Sequence, residues 1–380
     1  MKRIITVLIG MTLVALVISG CGSSVSIEDV TTALEAKDAD QVVEIITSYQ
    51  EQSNKSELDE AVVDYFKILG KSKDYADFLF MEEVINKTPD ESLRDKLQTS
   101  FDKNSDSRVV AFLSGSWVRR DYTDADGMII DVKWAEDGGT AIITGVDVKD
   151  NYNGFQEGDV KWKNAKVLSN DEISYEDLFK FEDSSTEYYP AYSKVDYKKN
   201  QIVCHITADN ADDYSRGTKQ VWIKESALNK EKEVLTDEDF IIDGKTYGKD
   251  WDSYQFFYVT DYVNDNELKE QIEAYLKEQG QKEDERLKTN RDFDNGDTRE
   301  DIIQSFGYGR TMFETYKEDV FYNATKDSDD LITKGFANTI REKEYHVLYF
   351  DKNKKRFIQM YFNEDDTLIA FIIAQGYGEH

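Results

Sequence analysis

The chain has 380 residues, with 77 Asp and Glu against 47 Lys and Arg, a net charge of -30 at pH 7. So acidic a body repels the phosphates of nucleic acid and excludes that class of partner. Apolar residues are 39% of it and 48 are aromatic (5 Trp, 23 Tyr, 20 Phe), which excludes a disordered tether and suffices for packed cores in two or three domains.

Residues 1–20 carry Lys2 and Arg3, then an apolar run from Ile4 to Ile18 relieved only by Thr and Gly. That is the layout of a secretory signal: basic n-region, apolar h-region, small residues at the cleavage point. The run is short for a membrane span, which needs about 20 residues. An uncleaved anchor helix with an incidental cysteine is the competing reading. Ile18-Ser19-Gly20-Cys21 resembles the lipobox of bacterial lipoproteins, a branched apolar residue and two small residues before Cys. The resemblance implies cleavage between Gly20 and Cys21 and a diacylglyceryl group on the Cys21 thiol. Residues 21–25 then form a lipidated tether at the extracytoplasmic face of a cell membrane. Removal of residues 1–20 takes two cations and no acid, so the charge becomes -32. The lipid chains, rather than anionic headgroups, then carry the attachment.

Residues 26–104 read as a helical domain. Val42, Ile45, Ile46 and Tyr49 fall on one helix face, and Leu58, Ala61, Val62, Tyr65, Phe66 and Leu69 repeat the pattern. Ser56 with Asp59 reads as a capping box, and Thr88-Pro89-Asp90-Glu91 as a cap followed by Pro at the first helical position. Gly70 ends a helix. Four or five short amphipathic helices are expected, as a small bundle or helical-repeat pair. Tetratricopeptide spacing is not met. A membrane-proximal spacer and dimerisation surface competes here with peptide binding.

From about Arg108 the period changes to 2, and residues 108–262 are predicted to be a β-rich domain. Runs such as MIIDVKW, TAIITGV, QIVCHIT and KQVWIKE are separated by DG, GG, NG and EG turns. Asp131-Val132-Lys133-Trp134 recurs as Asp159-Val160-Lys161-Trp162, which points to similarly placed strands of an antiparallel meander. Ile202, Cys204 and Ile206 share one strand face, making Cys204 a buried structural thiol. His205 faces the other way and cannot work with Cys204 on one atom. Gly115-Ser116-Trp117 with Arg119 resembles the G-x-W start of lipocalin barrels, where the Trp closes the floor against a basic residue. The resemblance implies a barrel holding an apolar ligand; the reading from the residues is a twisted sheet filled by its own side chains.

Residues 263–293 are a charged helix and linker, with Leu268, Ile272 and Leu276 as the apolar edge. Residues 294–380 open with Gly296-Asp297-Thr298-Arg299-Glu300-Asp301-Ile302 and Gly307, then the strands EYHVLYF, RFIQMYF and TLIAFII. This is similar to the module of the BamE (SmpA/OmlA) lipoproteins and β-lactamase inhibitor proteins, G-x-T-x-x-x-[VI]…G before a small antiparallel sheet. Gly309 stands where those families commonly have Pro. The resemblance implies an α+β interaction module with a three-stranded sheet and no chemistry of its own.

The fold class is therefore multidomain α+β. No HExxH, CxxC, GxSxG or P-loop pattern appears, and the histidines are His205, His346 and His380. DADG and DNG fail as calcium loops and read as hairpin turns. No catalytic residue, cofactor or metal is expected. Tyr188, Tyr189 and Tyr192, with Trp251, Tyr254 and Tyr258, are acidic aromatic clusters and the candidate contact surface. Core and rim packing of tyrosines is the plainer account of them. The expected function is a non-catalytic, membrane-anchored lipoprotein that binds an envelope protein. The alternatives are a carrier of a small apolar ligand and a cell-wall glycan binder or hydrolase.

Overall fold

The computed structural model describes residues 24–375 apart from 122–124, 147–153, 207–218, 249–254, 259–265, 279–290, 314–344 and positions 182, 184, 243, 292, 295 and 364. The signal-like segment, Gly20 and Cys21 lie outside the described residues, as do Trp251 and Tyr254. The fold is mixed α+β with a closed barrel. The chain divides into two compact units at Asn104/Ser105.

The first unit contains α1 (Ile27–Ala36), α2 (Ala39–Ser48), α3 (Lys55–Leu69), α4 (Tyr75–Lys87) and α5 (Glu91–Asp102). Apolar stripes at helical spacing face inward: Val42, Ile46, Leu58, Val62 and Phe66 are each 2% exposed or less. Ser26 caps α1 in a capping box with Asp29. The two predicted N-terminal caps fall elsewhere. Helix α3 starts at Lys55, so Ser56 lies inside it, and Asp59 instead accepts from Tyr49 Oη at 3.0 Å and Lys55 Nζ at 2.7 Å. Thr88 closes α4, its Oγ1 donating to the Val84 carbonyl at 2.7 Å, while Asp90 caps α5 by accepting from Leu93 N–H at 3.0 Å.

Asp90 also pairs with Lys55 at 2.7 Å. The Lys55 hydrogen bond, then the backbone N–H, holds its carboxyl below the ordinary 3.8. A carboxyl with a depressed value stabilises the fold above its unfolded value and loses that contribution as pH falls through the lower folded one. Asp90→Ala is expected to cost about 1 kcal/mol at pH 7, and less below pH 3.8, the ordinary value. Urea midpoints at the two pH values check this.

The second unit opens with α6 (Ser105–Leu113), although the sequence period predicts strands from about Arg108. Val109, Phe112 and Leu113 are buried at i, i+3 and i+4, so helical burial overrides the local Val-Val and Phe preference for strand. Eight strands follow: β1 (Gly115–Arg119), β2 (Ile129–Ala135), β3 (Gly138–Gly145), β4 (Val160–Val167), β5 (Glu172–Lys180), β6 (Thr186–Asp196), β7 (Gln201–Ile206) and β8 (Lys219–Lys224). Each pairs antiparallel with the next, and β1 closes on β8 through Trp117↔Lys224, Val118↔Ile223 and Arg119↔Trp222. Both copies of the DVKW repeat flank β3, but out of step: Ala141 faces Val132 on one side and Trp162 on the other.

After the barrel come α7 (Lys230–Glu233), β9 (Val234–Leu235), β10 (Ile241–Ile242), β11 (Lys245–Thr246) and β12 (Gln255–Tyr258). Then follow α8 (Asn266–Glu278), α9 (Arg299–Phe306), β13 (Arg310–Phe313), β14 (Tyr345–Asp351), β15 (Arg356–Phe362) and β16 (Leu368–Gln375). The C-terminal sheet runs β12-β16-β15-β14-β13, with β9 parallel to β14. Among the described residues it therefore has six strands where the sequence predicts three, and β9 and β12 come from the segment assigned to the central β domain. The physical reason is β16, Leu368 to Ile373 buried without alternation, a pattern of interior strands. At an edge its N–H and C=O groups would lack partners, and β12 provides them. Thr298 caps α9 in a capping box with Asp301, and Gly307 ends it at φ +76°.

Gly309 has φ +66°, and a Cβ there would lie 2.7 Å from Tyr349 Cε1 and Val347 Cγ1. Gly309→Ala is expected to destabilise the unit by about 1–3 kcal/mol through strain and overlap, read as a lower urea midpoint with unchanged slope.

Candidate functional site

A ligand carried by the barrel would occupy its interior. Trp117 on β1, Trp162 on β4, Tyr175 on β5 and Trp222 on β8 are turned inward, each 4% exposed or less. Trp162 meets Trp222 edge-on at 5.6 Å and Tyr175 at 4.4 Å between centroids. Trp117 donates from Nε1 to the Leu113 carbonyl at 2.8 Å and packs edge-on against Phe112. The basic group near Trp117 is Lys224, its Nζ 5.5 Å from the ring, whereas Arg119 is held by Asp121 at 2.8 and 3.0 Å. The lipocalin-like expectation for Arg119 is thereby corrected: Asp121 holds its guanidinium, which lies over Trp222 at 6.0 Å, and Lys224 is the cation beside Trp117.

Among these rings lies a buried ion pair that no sequence motif marks. Lys161, 1% exposed, donates to Asp177 Oδ2 at 2.7 Å and to the Leu178 carbonyl at 2.6 Å. Its Nζ is 5.3 Å from the ring centroids of Phe155 and of Phe179. Gln220 Nε2 donates to the same Asp177 oxygen at 3.0 Å, and Gln220 Oε1 accepts from Trp222 Nε1 at 3.2 Å. Burial lowers the Lys161 ammonium below its ordinary value, the opposing pull of Asp177 being the smaller effect. The two charges hold one another and two strands in place.

Cys204 is buried in β7 with Ile202 and Ile206, and His205 is half-buried on the other face. Burial pushes the Cys204 thiol up to about 12. A maleimide at pH 7.5 is expected to leave Cys204 unmodified in the folded protein and to label it in 6 M guanidinium, because only the thiolate attacks. Peptide mass spectrometry reads the difference. His346, 6% exposed, places Nε2 2.6 Å from Met312 Sδ. Among the described residues no group of three His, Cys, Asp or Glu could hold a metal ion.

The structure divides the aromatic contact residues. On β6, Tyr188 and Tyr192 lie on the barrel's outer face, since Ala191, Ser193 and Val195 are the buried alternates. Tyr192 is half exposed and stands opposite Ser174 and His205 in register. Tyr188 donates to the Val160 carbonyl at 2.8 Å, under Lys163 Nζ at 3.7 Å from its ring. Tyr189 is on the opposite side of the strand, edge-on to Phe179 at 5.2 Å. Tyr258 is in β12, opposite Ala370 in the C-terminal sheet, so it belongs to a different sheet from the β6 tyrosines.

No protein-family model, curated protein or solved structure matches the chain.

Proposed function

We propose that this is a membrane-anchored extracytoplasmic lipoprotein that acts as a non-catalytic, protein-binding scaffold of the cell envelope. The observation that carries the reading is the lipobox-like Ile18-Ser19-Gly20-Cys21 after a basic and apolar leader. The packing of the barrel supports the non-catalytic part: Trp117, Trp162 and Trp222 are each under 2% exposed and occupy the interior. Recognition then falls to outer faces, of which the one bearing Tyr188, Tyr192 and Lys163 offers amphipathic rings beside both signs of charge, as contact surfaces do. The capped helix α9 leading into an antiparallel sheet supports a BamE-like reading of the C-terminal region as a gripping surface.

The closed barrel also gives the carrier reading its one support, and an apolar ligand recovered by mass spectrometry from the native protein would favour it. Anchoring is tested on the N-terminal peptide of protein purified from its own membrane. A blocked peptide beginning at Cys21 with a diacylglyceryl mass is expected. A peptide beginning at Met1 or at any residue after Cys21 would remove the reading.

A further inference from the structure

A cleft of about 520 Å³ lies between α3 and α5, lined by Lys67, Lys71, Lys96, Ser100, Lys103 and Asn104 among others. Residues 26–104 contain nine Lys and Arg against nineteen Asp and Glu, yet four of those nine cations line this one cleft. Lys67 pairs with Asp64 at 2.7 Å, whereas Lys71, Lys96 and Lys103 make no ion pair among the described residues. The acid nearest Lys103 in sequence, Asp102, accepts from Gln98 Nε2 at 2.8 Å.

Cations at helix C-termini have an ordinary explanation, since each end carries about half a negative charge. Two helix ends and Asp64 together offset about two of four ammoniums. The last carbonyls are also already served: Phe66 by Gly70 N–H, Ile68 by Lys71 N–H, Thr99 by Lys103 N–H and Ser100 by Asn104 Nδ2 at 2.7 Å. Asn104 fits there because residue 70 is Gly; a Cβ would sit 2.3 Å from Asn104 Nδ2. Ser100 lines the same cleft, is 6% exposed, and its Oγ has no hydrogen-bond partner. A buried hydroxyl left unpaired is costly, which points to a missing acceptor.

We propose that this cleft binds a phosphate group, carried on a small soluble ester or on a lipid headgroup. Excess ammonium charge and an idle hydroxyl donor both call for an anion with several oxygens. Lysines act on phosphate as point charges, whereas a planar carboxylate is better met by the Arg fork absent from this lining. The site lies in the helical unit and stands independently of the protein-binding reading.

The test uses the full chain and measures amine acetylation at each lysine by peptide mass spectrometry. One arm adds inorganic phosphate or glycerol phosphate; the other compares phosphatidylglycerol with phosphatidylcholine vesicles, into which any lipid anchor inserts alike. Acetylation of Lys71, Lys96 and Lys103 is expected to fall about tenfold against exposed Lys133 in at least one arm. Protection in the first arm identifies a soluble ester, and protection only by phosphatidylglycerol identifies a headgroup. No protection in either arm, or equal protection of Lys133, overturns the proposal. In the protecting arm, Lys96→Gln/Lys103→Gln, both exposed positions, is expected to weaken binding about tenfold. Unchanged affinity in that variant also overturns it.

Discussion

Asp177→Ala is expected to lower the unfolding free energy of the Ser105–His380 unit by about 3–5 kcal/mol. The carboxylate is fully buried and is the ion-pair partner, at 2.7 Å, that Lys161, 1% exposed, has among the described residues. Its removal strands an ammonium between Phe155 and Phe179 and frees Gln220 Nε2 as well. The loss is the penalty of an unpaired buried charge rather than the net worth of the pair. Lys161→Met/Asp177→Leu is therefore expected to recover most of it, because apolar groups of similar volume often replace a buried pair at little cost. Urea unfolding followed by tryptophan fluorescence checks both variants. A double variant as unstable as the single one would refute the argument.

Trp222→Ala is expected to cost about 3–5 kcal/mol by emptying the middle of the barrel. Trp222 is fully buried on β8, the strand that closes the barrel against β1, and its register partner across that seam is Arg119. The indole meets Trp162 edge-on and lies under the Arg119 guanidinium at 6.0 Å. Its loss leaves Gln220 Oε1 without the Nε1 donor and opens a void that neighbouring rings, fixed by their own strands, fill only in part. Trp222→Phe keeps most of the volume and is expected to cost less than half as much. A near-neutral Trp222→Ala would mean that the interior is not packed as described, and would strengthen the carrier reading.

The helices, most barrel strands and the Cys204 face were legible in the sequence because each is set by a local period. Thr88-Pro89-Asp90-Glu91 satisfies two capping frames, and the choice fell to Thr88 Oγ1 turning back to Val84. Helix α6 was hidden by β-branched residues in a short span. Barrel closure depends on β1 pairing with β8, about a hundred positions later, which no local pattern records. The strands β9 and β12 are two and four residues long, too short to show a period. Lys161 was hidden for a more specific reason. In a regular strand it alternates with Trp162 and faces solvent, but register shifts in β3–β4 and β4–β5 break the alternation, and both become buried. Tyr188, Tyr192 and Tyr258 look like one surface when read by composition, and topology puts Tyr258 in a different sheet from the other two.

The most direct test of the central claim is in-cell crosslinking from a photoreactive residue at position 192, with the protein recovered and its adducts identified by mass spectrometry. Lipid-anchored protein is expected to yield one reproducible envelope protein, lost in Cys21→Ala and absent when the probe is moved to the buried position 204. No adduct from position 192 or from neighbouring outer-face positions, or a turnover-dependent activity in the purified protein, would contradict the account.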